Sequence, residues 1–162
     1  MADYFTSFSF EFEALKEEAE DFKKVIEYDF DRDEDDFDPW EVQSISREDF
    51  IEKVDPYGNG LFGFGVVVLV EDHDQASKLA KVTVHDDAGS PTLDQLIDTV
   101  KVMFKHTTEK EPIVIEWAST CSKPRTDGFG GGVSVIQNGK DTTINTAEMA
   151  QLLAKIRTYV HD

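Results

Sequence analysis

The stretch Ser7-Phe8-Ser9-Phe10-Glu11-Phe12-Glu13 alternates polar and aromatic residues without a break. A period of two puts Phe8, Phe10 and Phe12 on one face, so the stretch predicts a half-buried strand. The period then changes. Leu15, Ala19, Phe22 and Ile26 recur at helical spacing and predict a helix over 14–27 with one apolar stripe. Glu13, Glu17, Glu20 and Asp21 fall on or near its other face. Ser46 precedes a short pattern carrying Phe50 and Val54, with Asp49 at the capping-box position, which predicts a second, shorter helix. Asp55-Pro56-Tyr57-Gly58-Asn59-Gly60 is a turn cluster.

Beyond the turn, 61–71 and 78–85 predict two strands joined by a polar turn. The run Val66-Val67-Val68-Leu69-Val70 is apolar on both faces, as a central strand would be. Ser90-Pro91-Thr92 opens a helix, proline being favoured at the first helical position, with Leu93, Ile97, Val100 and Phe104 as its buried stripe. Residues 112–118 predict a strand. Residues 133–137 and 141–145 predict a hairpin around Asn138-Gly139, a strong hairpin signal. Asn145 with Glu148 opens a last helix, expected to bury Leu152, Ile156 and Val160. The order β-α-α-β-β-α-β-β-β-α predicts an α+β fold: a mostly antiparallel mixed sheet with helices packed on it, as one domain over 1–162.

Composition agrees with a folded core, since 40% of the 162 residues are apolar and 12 are Phe. The longest apolar run, 61–70, is interrupted by Gly63 and Gly65 and is half the roughly 20 residues a spanning helix needs, so no membrane segment is expected. No basic region followed by an apolar stretch opens the chain, so no signal peptide is expected. Cys121 is the single cysteine, which excludes an internal disulfide and points to a reducing, cytoplasmic compartment.

Charge changes the picture most. There are 34 acidic residues against 16 basic ones, net −18, and residues 1–60 alone carry 20 against 6. Such a chain repels nucleic acid and anionic lipid and attracts basic surfaces. Direct nucleic-acid binding and membrane binding are therefore not expected. Simple solubility, or adaptation to salt, is the competing explanation of the charge.

The excess is densest in the segment 28–41. It holds Asp29, Asp31, Asp33, Glu34, Asp35, Asp36 and Asp38, interleaved with Tyr28, Phe30, Phe37 and Trp40. Aromatics supply adhesive area at interfaces, so an acidic strip with Phe30, Phe37 and Trp40 as anchors suits docking onto a basic surface. The alternative is a loop whose aromatics tuck into the core while its acids face water. Asp29, Asp31 and Asp33 match positions 1, 3 and 5 of a calcium-binding EF-hand loop, but Glu34 stands where glycine is needed and Trp40 where the final Glu is needed. No metal site is expected. Duplex DNA presents a charge about every 1.7 Å, whereas an extended strip with an acid at every second residue presents one roughly every 6.6 Å. Mimicry of DNA would need a second acidic row, which the polar face of helix 14–27 offers.

A second segment, 119–132, combines Ser122, Lys123 and Arg125 with the glycines at 128 and 130–132. Backbone amides beside Gly130 and Gly131, together with the two cations, would suit a small anion or a nucleotide. The lysine precedes the glycines and no helix start follows, so this is no phosphate-binding P-loop. The competing reading is a flexible loop whose glycines ease a tight crossing. Cys121 has no local catalytic partner, and the histidines have no motif around them. The sequence therefore predicts a protein that is not an enzyme and needs no cofactor.

The run Ile115-Glu116-Trp117-Ala118-Ser119-Thr120-Cys121-Ser122-Lys123-Pro124-Arg125, followed by Phe129-Gly130-Gly131-Gly132-Val133, resembles a segment of uncharacterised small proteins of tailed bacteriophages and related mobile elements. The resemblance covers 115–145. It implies a phage accessory protein in a bacterial host cytoplasm, a setting in which small acidic proteins inhibit host defence or nucleic-acid enzymes, some as DNA mimics. The expectation is an acidic inhibitor or regulator that docks on a basic host protein or a nucleic-acid-processing complex. Two alternatives stand beside it: an anion or nucleotide binder using 119–132, and an assembly protein of a virion or complex, for which a homo-oligomer is the expected form.

Overall fold

The alternating N-terminal stretch forms a long strand in the computed structural model, which describes residues 4–30, 39–58, 60–61, 64–72, 74, 76–87, 92–122 and 130–160, with backbone alone at 4–5 and 157–160. Strand β1 spans Tyr4–Leu15. Phe8, Phe10 and Ala14 are buried on one face and Phe12 packs beside them, while Ser7, Ser9, Glu11 and Glu13 are exposed on the other. Because β1 keeps Ala14 and Leu15, helix α1 (Lys16–Glu27) starts two residues later than its periodicity predicts, and buries Ala19, Phe22, Val25 and Ile26. Helix α2 (Arg47–Val54) begins where expected: Ser46 Oγ accepts from the Asp49 N–H at 3.1 Å, and Phe50 and Val54 are buried.

The chain continues through β2 (Val66–Asp72), β3 (Leu79–Asp86), α3 (Leu93–Met103), α4 (Lys105–Thr108), β4 (Ile113–Cys121), β5 (Gly130–Gln137), β6 (Lys140–Asn145) and α5 (Thr146–Val160). The single turn of α4 is the one described element missing from the predicted order. All six strands join one antiparallel sheet in the order β2-β3-β1-β4-β5-β6. This is the expected α+β architecture. Helices α1, α2 and α3 lie on the face that carries Phe8, Val82, Val84, Ile113, Ile115 and Ile136. Phe22, Phe50, Phe64 and Phe104 are fully buried there, with the Phe104 ring edge-on to Phe12 at 4.8 Å. Among the described residues no helix lies over β1 on the opposite face, where Ser7, Ser9, Glu11 and Glu13 are exposed.

Two expectations change. The apolar run 66–70 is not a central strand: β2 is an edge strand, and Leu69 is 48% exposed. It starts only at Val66 because Gly65 takes a left-handed φ of 62°, which breaks the extended chain, while Leu61 and Phe64 enter the core from outside the strand. Helix α5 opens as read, with reciprocal bonds between Asn145 and Glu148 at 2.9 and 3.1 Å. Yet it does not bury Leu152 or Ile156, which are about half exposed; the Val160 side chain lies outside the described residues. Ser90 and Pro91 also lie outside them, and α3 begins at Leu93.

The hairpin β5–β6 turns at Asn138 and Gly139, whose φ values of 52° and 68° are the pair of positive angles a type I′ turn demands. The glycines before it are strand residues. Gly131 pairs with Ala118, and a Cβ there would overlap the Trp117 carbonyl oxygen; at Gly132 it would overlap the Trp117 ring. Gly131→Ala is therefore expected to lose about 1–2 kcal/mol: overpacking costs about 1–3 kcal/mol, and the reduced freedom of the unfolded chain returns less than 1 kcal/mol. Urea denaturation measures it, and a gain in stability would show that β4 and β5 separate freely. Among the described residues, no helix is long and apolar enough to cross a membrane.

Candidate interaction surface

The carboxylates of the N-terminal third divide into two groups. Three are buried and serve the fold. Glu18 accepts from the His106 N–H at 2.8 Å, the Thr107 N–H at 3.1 Å and the Thr107 hydroxyl at 2.6 Å. It thereby caps α4 from α1. Asp21 accepts from the Gln43 and Ser44 amides at 3.1 and 2.9 Å, and Lys24 Nζ stands 3.6 Å away. Asp55 accepts from the Gly60 amide at 2.8 Å. The sequence pattern placed Asp21 on the polar face of the helix and missed Glu18; in fact both point into the fold.

The second group faces solvent. Glu17 and Glu20 on α1, Glu41 beside it, and Glu48, Asp49 and Glu52 on α2 are exposed, and none makes an ion pair among the described residues. Glu27 meets Lys23 only at 3.8 Å, an exposed pair of little energetic weight. Helices α1 and α2 thus carry exposed carboxylates without ion pairs on both sides, along the chain, of the acidic segment, which follows the C-terminus of α1 and ends just ahead of α2. The returning end is anchored, because Asp21 holds Gln43 and Ser44 while Lys24 Nζ donates to the Glu41 carbonyl at 3.3 Å.

Within the segment, Asp29 is exposed. Asp31, Asp33, Glu34, Asp35, Asp36, Phe37 and Asp38 lie outside the described residues. Phe30 and Trp40 are placed, and both pack against the core. The Trp40 ring sits 5.1 Å from Tyr28 and 5.8 Å from Phe50, and its Nε1–H donates to the Ile45 carbonyl at 2.8 Å. Phe30 stacks on Phe50 at 6.0 Å and meets Phe64 at 6.3 Å. The Arg47 guanidinium lies 5.9 Å from the centre of the Tyr28 ring. Two of the three rings expected to anchor a partner thus close the fold around α2. Composition alone did not separate these roles, because an interface anchor and a core aromatic are the same residue types.

Lys123 and Arg125 of the second segment lie outside the described residues. Ser122 is exposed just past β4, and Gly130 and Gly131 belong to the β4–β5 ladder. Cys121 is half-buried at the end of β4, opposite Tyr4 of β1.

A cleft of about 840 Å³ opens between α2, the α3–α4 corner and the β5–β6 turn, with Lys53, Lys101, Lys105 and His106 in its wall. It had no signal in the sequence, since its cations come from three separate elements. Asp49 and Glu109 share the wall. Lys101 bridges Asp98 at 3.0 Å and Asp141 at 2.8 Å. Burial pulls its pKa down, but the hydrogen bonds to Asp141 and Asp98 outweigh that and hold it above the ordinary lysine value. His106 Nδ1 stands 3.6 Å from Glu109. The cleft is therefore largely charge-balanced, with Lys53 and Lys105 as the cations that make no ion pair among the described residues. Among those residues no group of three or more His, Cys, Asp or Glu is placed to hold a metal ion. No family model, curated protein or solved structure matches the chain at a significant level.

Proposed function

We propose that the chain is an acidic binding protein without catalytic activity. It docks the carboxylate surface of α1, the 28–41 segment and α2 onto a basic, nucleic-acid-binding surface of a protein partner. The observation that carries this reading is the set of exposed carboxylates Glu17, Glu20, Glu41, Glu48 and Glu52, which make no ion pair among the described residues and flank in sequence the densest acidic segment of the chain. Unpaired surface charge adds little to the stability of a fold, whereas it steers a basic partner and orients it on contact. In this reading the exposed carboxylates of α1 and α2 add to the charge that the segment's sequence alone supplies too sparsely, and together they compete with the phosphates of a nucleic acid. The resemblance of 115–145 to phage proteins is in keeping with an inhibitor or regulator of a host enzyme, acting inside the bacterial cell.

The test compares the natural chain with a variant carrying Glu17, Glu20, Glu48 and Glu52 as Gln and Asp31, Asp33, Asp35 and Asp36 as Asn. Both are used to capture host proteins at low and at high salt. The natural chain is expected to retain a nucleic-acid-binding protein that salt releases and duplex DNA displaces. The amide variant is expected to stay folded and to associate about tenfold more slowly or worse, with a weaker salt dependence. Equal association by both chains would overturn the proposal. So would loss of binding in Lys123→Ala with Arg125→Ala, which would return the function to the cationic loop.

A further inference from the structure

The sheet ends in two strands whose free edges differ. An edge strand presents unpaired N–H and C=O groups to any extended chain, and folded proteins blunt it with charge, proline, a bulge or a covering element. Strand β6 is blunted. Its sequence is polar, with Ile144 its one apolar residue. The Asn145 N–H is taken by Glu148 at 3.1 Å, and α5 lies beside the strand. Strand β2 has none of these devices. Val66-Val67-Val68-Leu69-Val70 holds no charge and no proline, and the register with β3 runs from Val66 opposite Asp86 to Asp72 opposite Ala80 without a bulge.

The register also fixes which groups face outward. The Asp87 N–H donates to the Gly65 carbonyl at 2.9 Å, so these two opposed residues form a bonded pair of the β2–β3 ladder. In an antiparallel ladder bonded pairs alternate with pairs that do not bond. Val67, Leu69 and Glu71 therefore turn their N–H and C=O groups to β3, and Val66, Val68, Val70 and Asp72 turn theirs away from it. Among the described residues no hydrogen bond reaches these outward groups. The side chains alternate as well. Val66, Val68 and Val70 pack against the core, and Leu69 is exposed on the other face.

We propose that the edge of β2 takes up an extended, basic segment of a partner protein as a seventh strand of the sheet. The form of the occupant follows from the edge, because donors and acceptors repeating at every second residue are matched by another strand. Its charge follows from the surroundings. Helix α1, which packs on β2, and β2 itself hold seven acidic and three basic residues. The three bases are already engaged: Lys16 with Asp72 at 3.1 Å, Lys23 with Glu27 at 3.8 Å and Lys24 with Asp21 at 3.6 Å. Glu20 and Glu71 are exposed and make no ion pair among the described residues. Two copies joined edge to edge would set β2 against β2 at about 4.8 Å. That lies inside the screening length of about 8 Å at 0.15 M salt, so like charge opposes a second copy and favours a basic occupant. Apolar side chains of the incoming strand continue the row of Val66, Val68 and Val70, and a lysine or arginine suits the end beside Glu71. This contact is separate from the docking proposed above, since the backbone of β2 makes it, and either can fail without the other.

Hydrogen exchange on the full chain gives the first test. In the free protein the amides of Val68 and Val70 are expected to exchange about tenfold faster, or more, than those of Val67 and Leu69. Random peptides of about ten residues, enough to cover a strand, are then selected on the full chain. The selected peptides are expected to alternate apolar residues, to carry Lys or Arg, and to slow exchange at Val68 and Val70 when bound. Methylating the peptide's backbone nitrogens at every second residue is expected to weaken binding about tenfold or more in one frame and hardly at all in the other, because one frame of amides faces β2. That comparison leaves the protein unaltered. Val70→Pro removes an outward donor while the ladder with β3 keeps its bonds, so it is expected to weaken binding by a similar factor with an unchanged far-UV spectrum. Equal protection of the two sets of amides in a free monomer overturns the proposal. So does a selection that yields no binder or only acidic ones, binding that leaves Val68 and Val70 fast, or equal losses in both methylation frames. A dimer of the free chain in which Val68 and Val70 are protected also overturns it, and gives the edge to a second copy.

Discussion

Glu18→Ala is expected to destabilise the protein by about 3 kcal/mol, more than any other single carboxylate change among the described residues. Three donors converge on this buried side chain: two amides at the start of α4 and the Thr107 hydroxyl. Each buried donor left without an acceptor costs about 1–3 kcal/mol, and water admitted to the site offsets part of the sum. The loss spreads, because Thr107 Oγ1 also accepts from the Leu15 N–H at 3.3 Å, at the junction of β1 and α1. Removing Glu18 thus frees the hydroxyl that fixes that junction. Glu18→Gln keeps the volume but turns a donor toward donors, so it should fall between the two. Glu17→Ala, next to it and exposed, should change stability by less than about 0.5 kcal/mol. For a chain of this size, 3 kcal/mol corresponds to about 6–12 °C in the melting temperature. Equal melting of the Glu17 and Glu18 variants would show that α4 does not depend on this cap.

The contrast between those two glutamates shows where sequence reading stops. Local patterns were legible. The alternation at Phe8, Phe10 and Phe12 is a strand, Ser46 caps α2, Asn138-Gly139 turns the hairpin, and Asn145 with Glu148 opens α5. Each of these signals is complete within a few neighbouring residues. What failed needed knowledge of distant neighbours. A stripe such as Met149, Leu152, Leu153 and Ile156 states that a helix has an apolar face, but not whether its own chain covers it. The run Val66–Val70 reads as doubly buried, yet strand order leaves it at an edge. Glu18 and Asp21 look like solvated charge because their partners lie 88 and 22 residues further along the chain.

The same limit governs the acidic segment. Its charge was legible, and so were its aromatics, but not the direction in which the aromatics point. Phe30 and Trp40 turn inward around Phe50, so these two rings serve the fold. The proposed docking would then depend on charge more than on burial of these two rings. Such a surface gives fast, salt-sensitive association.

Trp40→Ala is accordingly expected to lower stability by about 2–3 kcal/mol, and not chiefly to speed the release of a partner. Fully buried Phe or Trp truncations cost about 3–5 kcal/mol, and this ring is only half-buried. It nevertheless packs on Tyr28, Phe30 and Phe50, and its Nε1–H is the donor to the Ile45 carbonyl that shapes the entry to α2. Trp40→Phe keeps most of the ring contact and loses that bond, so about 1 kcal/mol separates it from the natural chain. Tyr57, 88% exposed, is the control for a surface aromatic, and Tyr57→Ala should melt with the natural protein. Thermal denaturation of the three variants, followed by binding kinetics on those that remain folded, decides the role of the ring. Were Trp40→Ala to melt unchanged and to dissociate from a captured partner much faster, Trp40 would be the partner's anchor, and its packing on Phe50 would be incidental.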